Sequence, residues 1–208
     1  MSELLRDTSC GEFTALLASS APAPGGGGAA ALMGALAASL CSMAAVLTAG
    51  RKKYAGVKDE LEALVASAQT LREALLELID ADAEGFRPLA AAYSLPKDAE
   101  NYAGTMRVAT LTACEAPMEI LRRCCEAAAL LERTLEIGSP ALLSDVGCGA
   151  AACRAAMESA AMNVFINTRT LRGDGEADAM EKEAARRLNE YVPRVQQVAD
   201  RAMEYLRR

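Results

Sequence analysis

The chain has 208 residues, a formal net charge of −6, and neither histidine nor tryptophan. That length fits one domain, 1–208, with a sizeable core, and the acidic balance argues against nucleic acid as a partner. Without histidine the usual acid–base residue near neutral pH is missing, and His-bearing zinc sites and His-based triads are excluded. Proton transfer therefore falls to Asp, Glu, Lys, Tyr or Cys. Apolar residues make up 52% of the chain and aromatics only 4%. Alanine supplies much of the apolar share, which favours closely packed helices, because a methyl group loses no rotamer entropy.

In chain order, Leu4, Leu5, Phe13, Leu16 and Leu17 give a short amphipathic helix that stops at Ser19-Ser20-Ala21-Pro22. Pro22-Ala23-Pro24-Gly25-Gly26-Gly27-Gly28 then leads into a second helix reaching about Thr48. No charged residue lies between Glu12 and Arg51, so a membrane span has to be weighed. The window is rich in Ala and Gly, which are nearly neutral toward lipid, so a helix buried in a helical domain is expected and no membrane partner. Met1-Ser2-Glu3 lacks the basic-then-apolar start of a signal peptide, and the cytoplasm is the expected location.

Gly50-Arg51-Lys52-Lys53-Tyr54-Ala55-Gly56 forms a basic link. A long helix follows over roughly 57–92, with Leu61, Leu64, Val65, Ala68, Leu71, Leu75, Leu76 and Ile79 at helical spacing. After a break at Ser94-Leu95-Pro96, helical spacing resumes from Met106 to Leu135, and Pro117 is expected to kink or restart that helix. Gly138-Ser139-Pro140 stops it. Further helices are expected over about 142–171 and 177–206, separated by Gly173-Asp174-Gly175. No segment alternates with β-branched residues, so the expected fold is an all-α bundle of six to seven helices without a sheet.

Seven cysteines match neither a zinc spacing nor a disulfide framework, and they are expected as free thiols packed in the core. The glycine run is the most unusual segment. It lets a ligand or another backbone approach a helix N-terminus, but it lacks the Lys-Ser/Thr pair of a phosphate loop and any GxGxxG spacing. Close helix packing and ligand binding both remain open there. Asp80 and Asp82 are two apart, hence on different helix faces, so one can face a cleft while the other stays solvated. A carboxylate in a partly dry cleft acquires a raised pKa and can serve as acid or base. Lys52, Lys53 and Tyr54 form a basic patch able to receive a carboxylate-bearing ligand, or simply a solvated turn. Ser144 and Asp145 sit beside a turn, where helix N-capping is the plainest role. Asn163 and Asn167 share one helix face and either fasten neighbouring helices or read a ligand.

In order, Pro22 to Gly27, Leu47-Thr48 with Lys52-Lys53-Tyr54, Asp80-Ala81-Asp82-Ala83, Leu95-Pro96-Lys97, Pro117-Met118-Glu119, Ser144-Asp145-Val146-Gly147 and Asn163-Val164 with Ile166-Asn167 resemble the cyclodeaminase/cyclohydrolase family of tetrahydrofolate one-carbon metabolism. The resemblance covers nearly the whole chain. It implies a helical homodimer with a folate site near the glycine-rich segment and the subunit interface, and no metal or cofactor beyond tetrahydrofolate as substrate carrier. It also implies an aspartate of Asp-x-Asp-Ala as the catalytic group, carried here to Asp82 with Asp80 second. Pro24, Gly25, Gly26, Gly27, Lys52, Lys53, Tyr54, Ser144, Asp145, Asn163 and Asn167 become the expected substrate-binding set. Two positions depart from the pattern: Gly28 stands where the family often has Ser, and Val46 where Asn usually precedes Leu-Thr. The expected reaction is conversion of 5-formiminotetrahydrofolate to 5,10-methenyltetrahydrofolate and ammonia. The alternatives are a methenyltetrahydrofolate cyclohydrolase on the same scaffold, or a non-catalytic helical dimerisation module.

Overall fold

Small side chains let the helices of this chain approach closely, and the architecture is all-helical. The computed structural model describes residues 4–208, among which lie six α-helices, four short 3-10 turns and no strand. Met1, Ser2 and Glu3, on which the signal-peptide expectation rests, lie outside the described residues.

The opening helix is shorter than the apolar spacing predicts. Leu5–Asp7 is a 3-10 turn, and α1 begins only at Cys10 and ends at Leu17. Ser9 and Glu12 close a capping box that fixes this start, each side chain accepting from the other's backbone N–H. α2 (Gly26–Ala49) is the central element, packed against α3 (Lys58–Ala92), α4 (Tyr102–Ile137) and α5 (Leu143–Thr168). α6 (Gly175–Leu206) covers α4 and α5. The basic link is a 3-10 turn over Lys52–Val57. Asp174, not a glycine, caps α6 by accepting from the Glu176 and Ala177 N–H groups.

Two expectations are corrected. α4 runs on through Pro117 as one helix instead of restarting there. Ser144 and Asp145 do not cap α5: Leu142 holds the N-cap position, and both residues lie in the first turn.

The buried face of α2 carries Ala30, Ala31, Ala37, Ala38, Cys41, Ala44 and Ala45, all at most 1% exposed. Facing them are Leu75, Ile79, Leu121, Leu131 and Val164, each worth about 1.5–3 kcal/mol on full burial. Contact is so close at Gly34 that an added Cβ would stand 2.8 Å from the Cys124 sulfur and 3.1 Å from a Leu75 methyl. Five of the seven cysteines are buried and none is in a disulfide. Burial pushes the Cys41 and Cys114 thiols up to about 11, so they pack as small apolar groups.

By length and composition α2 could cross a membrane, with a mean hydropathy of 2.0 in its most apolar window. Half of that window is nevertheless buried inside the bundle. The other half is a stripe through Leu32, Leu36, Leu40, Met43, Val46 and Leu47, with no charged residue from Gly26 to Gly50.

Candidate active site

α2 begins without a side-chain cap. Gly25 occupies the N-cap position, and the first intrahelical bond is Ala29 N–H to Gly25 C=O, so the preceding amides point outward unpaired within the helix. α3 crosses this end and lays Asp82 on it. A Cβ on Gly27 would stand 2.0 Å from Asp82 Oδ1, so only glycine admits the carboxylate there. Gly26 is similarly occupied, by Asn163: its added Cβ would meet Asn163 Nδ2 at 3.0 Å.

These groups line one side of a cleft of about 340 Å³. Pro22, Ala23, Gly25 and Gly26 form the α2 lip, and Asp82, Ala83, Phe86 and Tyr93 come from α3 and its end. Ala113 and Pro117 of α4 and Asn163, Ile166 and Asn167 of α5 complete the wall. Phe86 and Tyr93 escaped the sequence reading, although both follow Asp82 on the same face of the helical repeat.

Burial dominates the electrostatics of Asp82 and raises its carboxyl from the ordinary 3.8 to about 6. The Gly28 backbone N–H pulls the other way but does not prevail. No Lys or Arg among the described residues forms an ion pair with Asp82, and no basic residue lines the cleft.

Asp80 faces elsewhere, and it is not solvated as expected. Its Oδ1 accepts the Leu5 N–H at 2.7 Å, and Arg6 Nε stands 3.8 Å from Oδ2. Asp80 therefore fastens the N-terminal turn to α3. Asn163 donates to the Ser159 carbonyl at 2.8 Å, within its own helix. Asn167 Nδ2 lies 3.4 Å from the Ala113 carbonyl, the acceptor that Pro117, lacking an N–H, leaves free four residues earlier. This contact joins α5 to α4 and explains how Pro117 is tolerated inside a helix.

The remaining expected site residues lie at the opposite end of α2. Lys52 and Lys53 are exposed, Tyr54 is half-buried against Ala45 and Leu61, and Lys53 Nζ sits 5.8 Å from the Tyr54 ring centroid. Ser144 and Asp145 begin α5 at this same end, where Arg51 donates to Ser139 and the Ser139 N–H donates to Thr48. The 24 residues of α2 put about 35 Å between the two groups. Within one chain the structure brings together Pro24, Gly25, Gly26, Gly27, Asp82, Asn163 and Asn167, and leaves Lys52, Lys53, Tyr54, Ser144 and Asp145 apart. Among the described residues no group of three or more Cys, Asp or Glu is placed to hold a metal ion.

The fold is an all-helical domain that sets a part-buried carboxylate, without a cationic partner among the described residues, in a cleft at a helix N-terminus. The profile of the formiminotransferase-cyclodeaminase family matches residues 9–186, and the chain belongs to that family. It is 38% identical to a methenyltetrahydrofolate cyclohydrolase of Methylorubrum extorquens, over 74% of this chain and 76% of that protein. It is 28% identical to the mouse formimidoyltransferase-cyclodeaminase over 82% of this chain, which spans only 32% of that longer protein. The crystal structure of formiminotetrahydrofolate cyclodeaminase from Thermotoga maritima superposes with a TM-score of 0.83 at 28% identity, covering 98% of each chain.

Proposed function

We propose that this protein is a tetrahydrofolate one-carbon enzyme that hydrolyses 5,10-methenyltetrahydrofolate, with Asp82 as its acid–base group. The observation that carries the reading is the Asp82 carboxylate, pushed up to about 6 by burial and laid on the open N-terminus of α2 without a cationic partner. A group with that pKa takes and returns a proton near neutral pH, which suits a chain without histidine.

Water adds to the methenyl carbon of the substrate, and one C–N bond then opens. Asp82 accepts one proton of the attacking water and delivers it to the departing nitrogen, while the remaining hydroxyl proton leaves to solvent as the formyl C=O forms. The folate itself supplies the electrophilic carbon, so proton transfer and exclusion of bulk water are what the protein adds. Phe86 and Tyr93 offer apolar faces for a flat ring system, and Asn163 and the amides of Gly25 to Gly27 offer polar contacts. The volume of about 340 Å³ is in the usual range for a small-molecule site. The reading includes a homodimer as the working assembly.

The degree of likeness to the Methylorubrum cyclohydrolase favours hydrolysis over the cyclodeamination to which the sequence reading gave first place. Cyclodeamination remains the second reading, favoured by the full-length likeness to the Thermotoga cyclodeaminase. It needs the same proton step: N10 attacks the formimino carbon and ammonia leaves. Purified protein assayed with each substrate separates the two, following loss or appearance of the methenyl chromophore. Hydrolysis of methenyltetrahydrofolate without ammonia release from the formimino compound is expected. Turnover of neither would overturn the reading.

A further inference from the structure

The Asp82 cleft is polar at its inner end and largely apolar further out. α3 and α5 both run antiparallel to α2. Leu75, Ile79 and Asp82 pack in turn on Gly34, Gly28 and Gly27, while Gly149 packs on Ala37 and Asn163 on Gly26. Both helices therefore continue past the end of α2, and Phe86, Tyr93, Ile166 and Asn167 stand beyond it. Asp82 and Asn163 remain at the inner end, against consecutive residues whose Cα atoms are about 3.8 Å apart. They are the nearest polar side chains to one another across the cleft. Tyr93 lies 11 residues past Asp82, about 16 Å along α3, and is 57% exposed. Asn167 lies one turn, about 6 Å, further out on α5 than Asn163, with its Nδ2 engaged at the Ala113 carbonyl.

The Asn163 amide has a defined orientation. The Ser159 carbonyl can only accept, so the atom 2.8 Å from it is Nδ2, and Oδ1 is turned away from that bond. Oδ1 accepts no hydrogen bond among the described residues, and it is not sealed in the core either, so it is an acceptor open to the cleft.

We infer that Asn163 holds the attacking water together with Asp82, its Oδ1 accepting one O–H while the Asp82 carboxylate accepts the other. This assignment rests on the hydrolytic reading of the Asp82 cleft. A water bound to Asp82 alone keeps one O–H free and swings about the other. A second acceptor removes that freedom and aims an oxygen lone pair at the methenyl carbon. The carboxamide takes no proton at any point. The bond from water oxygen to carbon forms, one C–N bond breaks, and Asp82 carries its proton to the departing nitrogen. The O–H on Asn163 loses its proton to solvent as the formyl C=O forms, so each cationic methenyl group and one water yield a formyl group, an N–H and one released proton. An uncharged acceptor suits this position, because a second carboxylate there would compete with Asp82 for the proton.

Two variants test the role. Asn163→Ala removes the acceptor, and kcat for methenyltetrahydrofolate hydrolysis should fall about 10²-fold with KM little changed, since the rings lie further out. Asn163→Asp keeps an acceptor in place but makes it a second carboxyl beside Asp82, and adjacent carboxyls do not ionise together. Its kcat/KM should therefore inflect about one pH unit higher than that of the wild type. Tyr93 is the other ionisable side chain lining the cleft, and Asp80 faces Leu5 and Arg6, so such a shift reports the contact between positions 82 and 163. A wild-type kcat in Asn163→Ala, or a loss confined to KM, overturns the water-holding role and leaves the Asp82 chemistry standing. An unshifted inflection in Asn163→Asp overturns the shared water, and it decides alone if Asn163→Ala loses its helical circular dichroism. A wild type that hydrolyses no methenyltetrahydrofolate refutes the hydrolytic reading itself, and the role of Asn163 falls with it.

Discussion

Asp82 is held by opposing influences whose magnitudes decide its chemistry. The N-terminal dipole of α2 favours a carboxylate by roughly 0.3–1 kcal/mol in ordinary exposed settings. Burial in the cleft outweighs this and the Gly28 N–H together, so the net effect raises the pKa to about 6. The consequence for stability has a definite sign. Below pH 3.8 Asp82 is protonated in folded and unfolded chains alike and costs nothing. As the pH rises from 3.8 to about 6, the unfolded chain releases the proton first, and stability falls until the folded group also ionises. Asp82→Asn should therefore be more stable than wild type at pH 7, by about 2–3 kcal/mol, with the gain vanishing near pH 4. Urea unfolding at the two pH values measures this, and equal stability at pH 7 would show that the carboxylate is not strained. The Asp-x-Asp spacing announced that the two carboxylates face different ways. Which one enters the cleft was not legible, because the N-terminal turn that claims Asp80 through Leu5 and Arg6 is a contact across 75 positions of sequence.

At the scale of elements, glycines in α2 serve two purposes that the run of letters does not distinguish. Gly27 makes room for the Asp82 carboxylate, whereas Gly34 makes room for the core at Cys124 and Leu75. Gly27→Ala should displace the movable Asp82 side chain, lowering kcat/KM about 10²-fold while leaving the melting temperature within a few degrees. Gly34→Ala should do the reverse, costing about 1–3 kcal/mol through overpacking with the site chemistry intact. Equal effects of both variants on activity would remove this distinction. The helices themselves were largely legible, since α2 and α3 begin and end within about two residues of the expected bounds. Pro117 was not. A proline is read as a break because it orphans a carbonyl, and the repair by Asn167 comes from a helix some 50 residues further on.

For the whole molecule, the ordered set of short segments conveyed the family and the all-α class, and the fold agrees. The same order gave no sign that Lys52 and Asp82 stand at opposite ends of a long helix, because 30 positions of sequence carry no direction in space. Within one chain Asp82 and the Lys52-Lys53 pair lie about 35 Å apart, at the two ends of α2. The environment of the carboxylate and the crossing of α3 over the N-terminus of α2 both support the proposal's central claim, that Asp82 moves the proton in folate turnover. The most direct measurement is kcat/KM for methenyltetrahydrofolate hydrolysis by wild type and Asp82→Asn between pH 5 and 8, alongside ligand affinity. The wild-type rate should fall on acidification through about pH 6, as Asp82 loses its capacity to accept a proton. Asp82→Asn should be about 10²–10⁴-fold slower, bind folate as before, and show no inflection near that pH. A variant that turns over at the wild-type rate, with the inflection retained, would contradict the account.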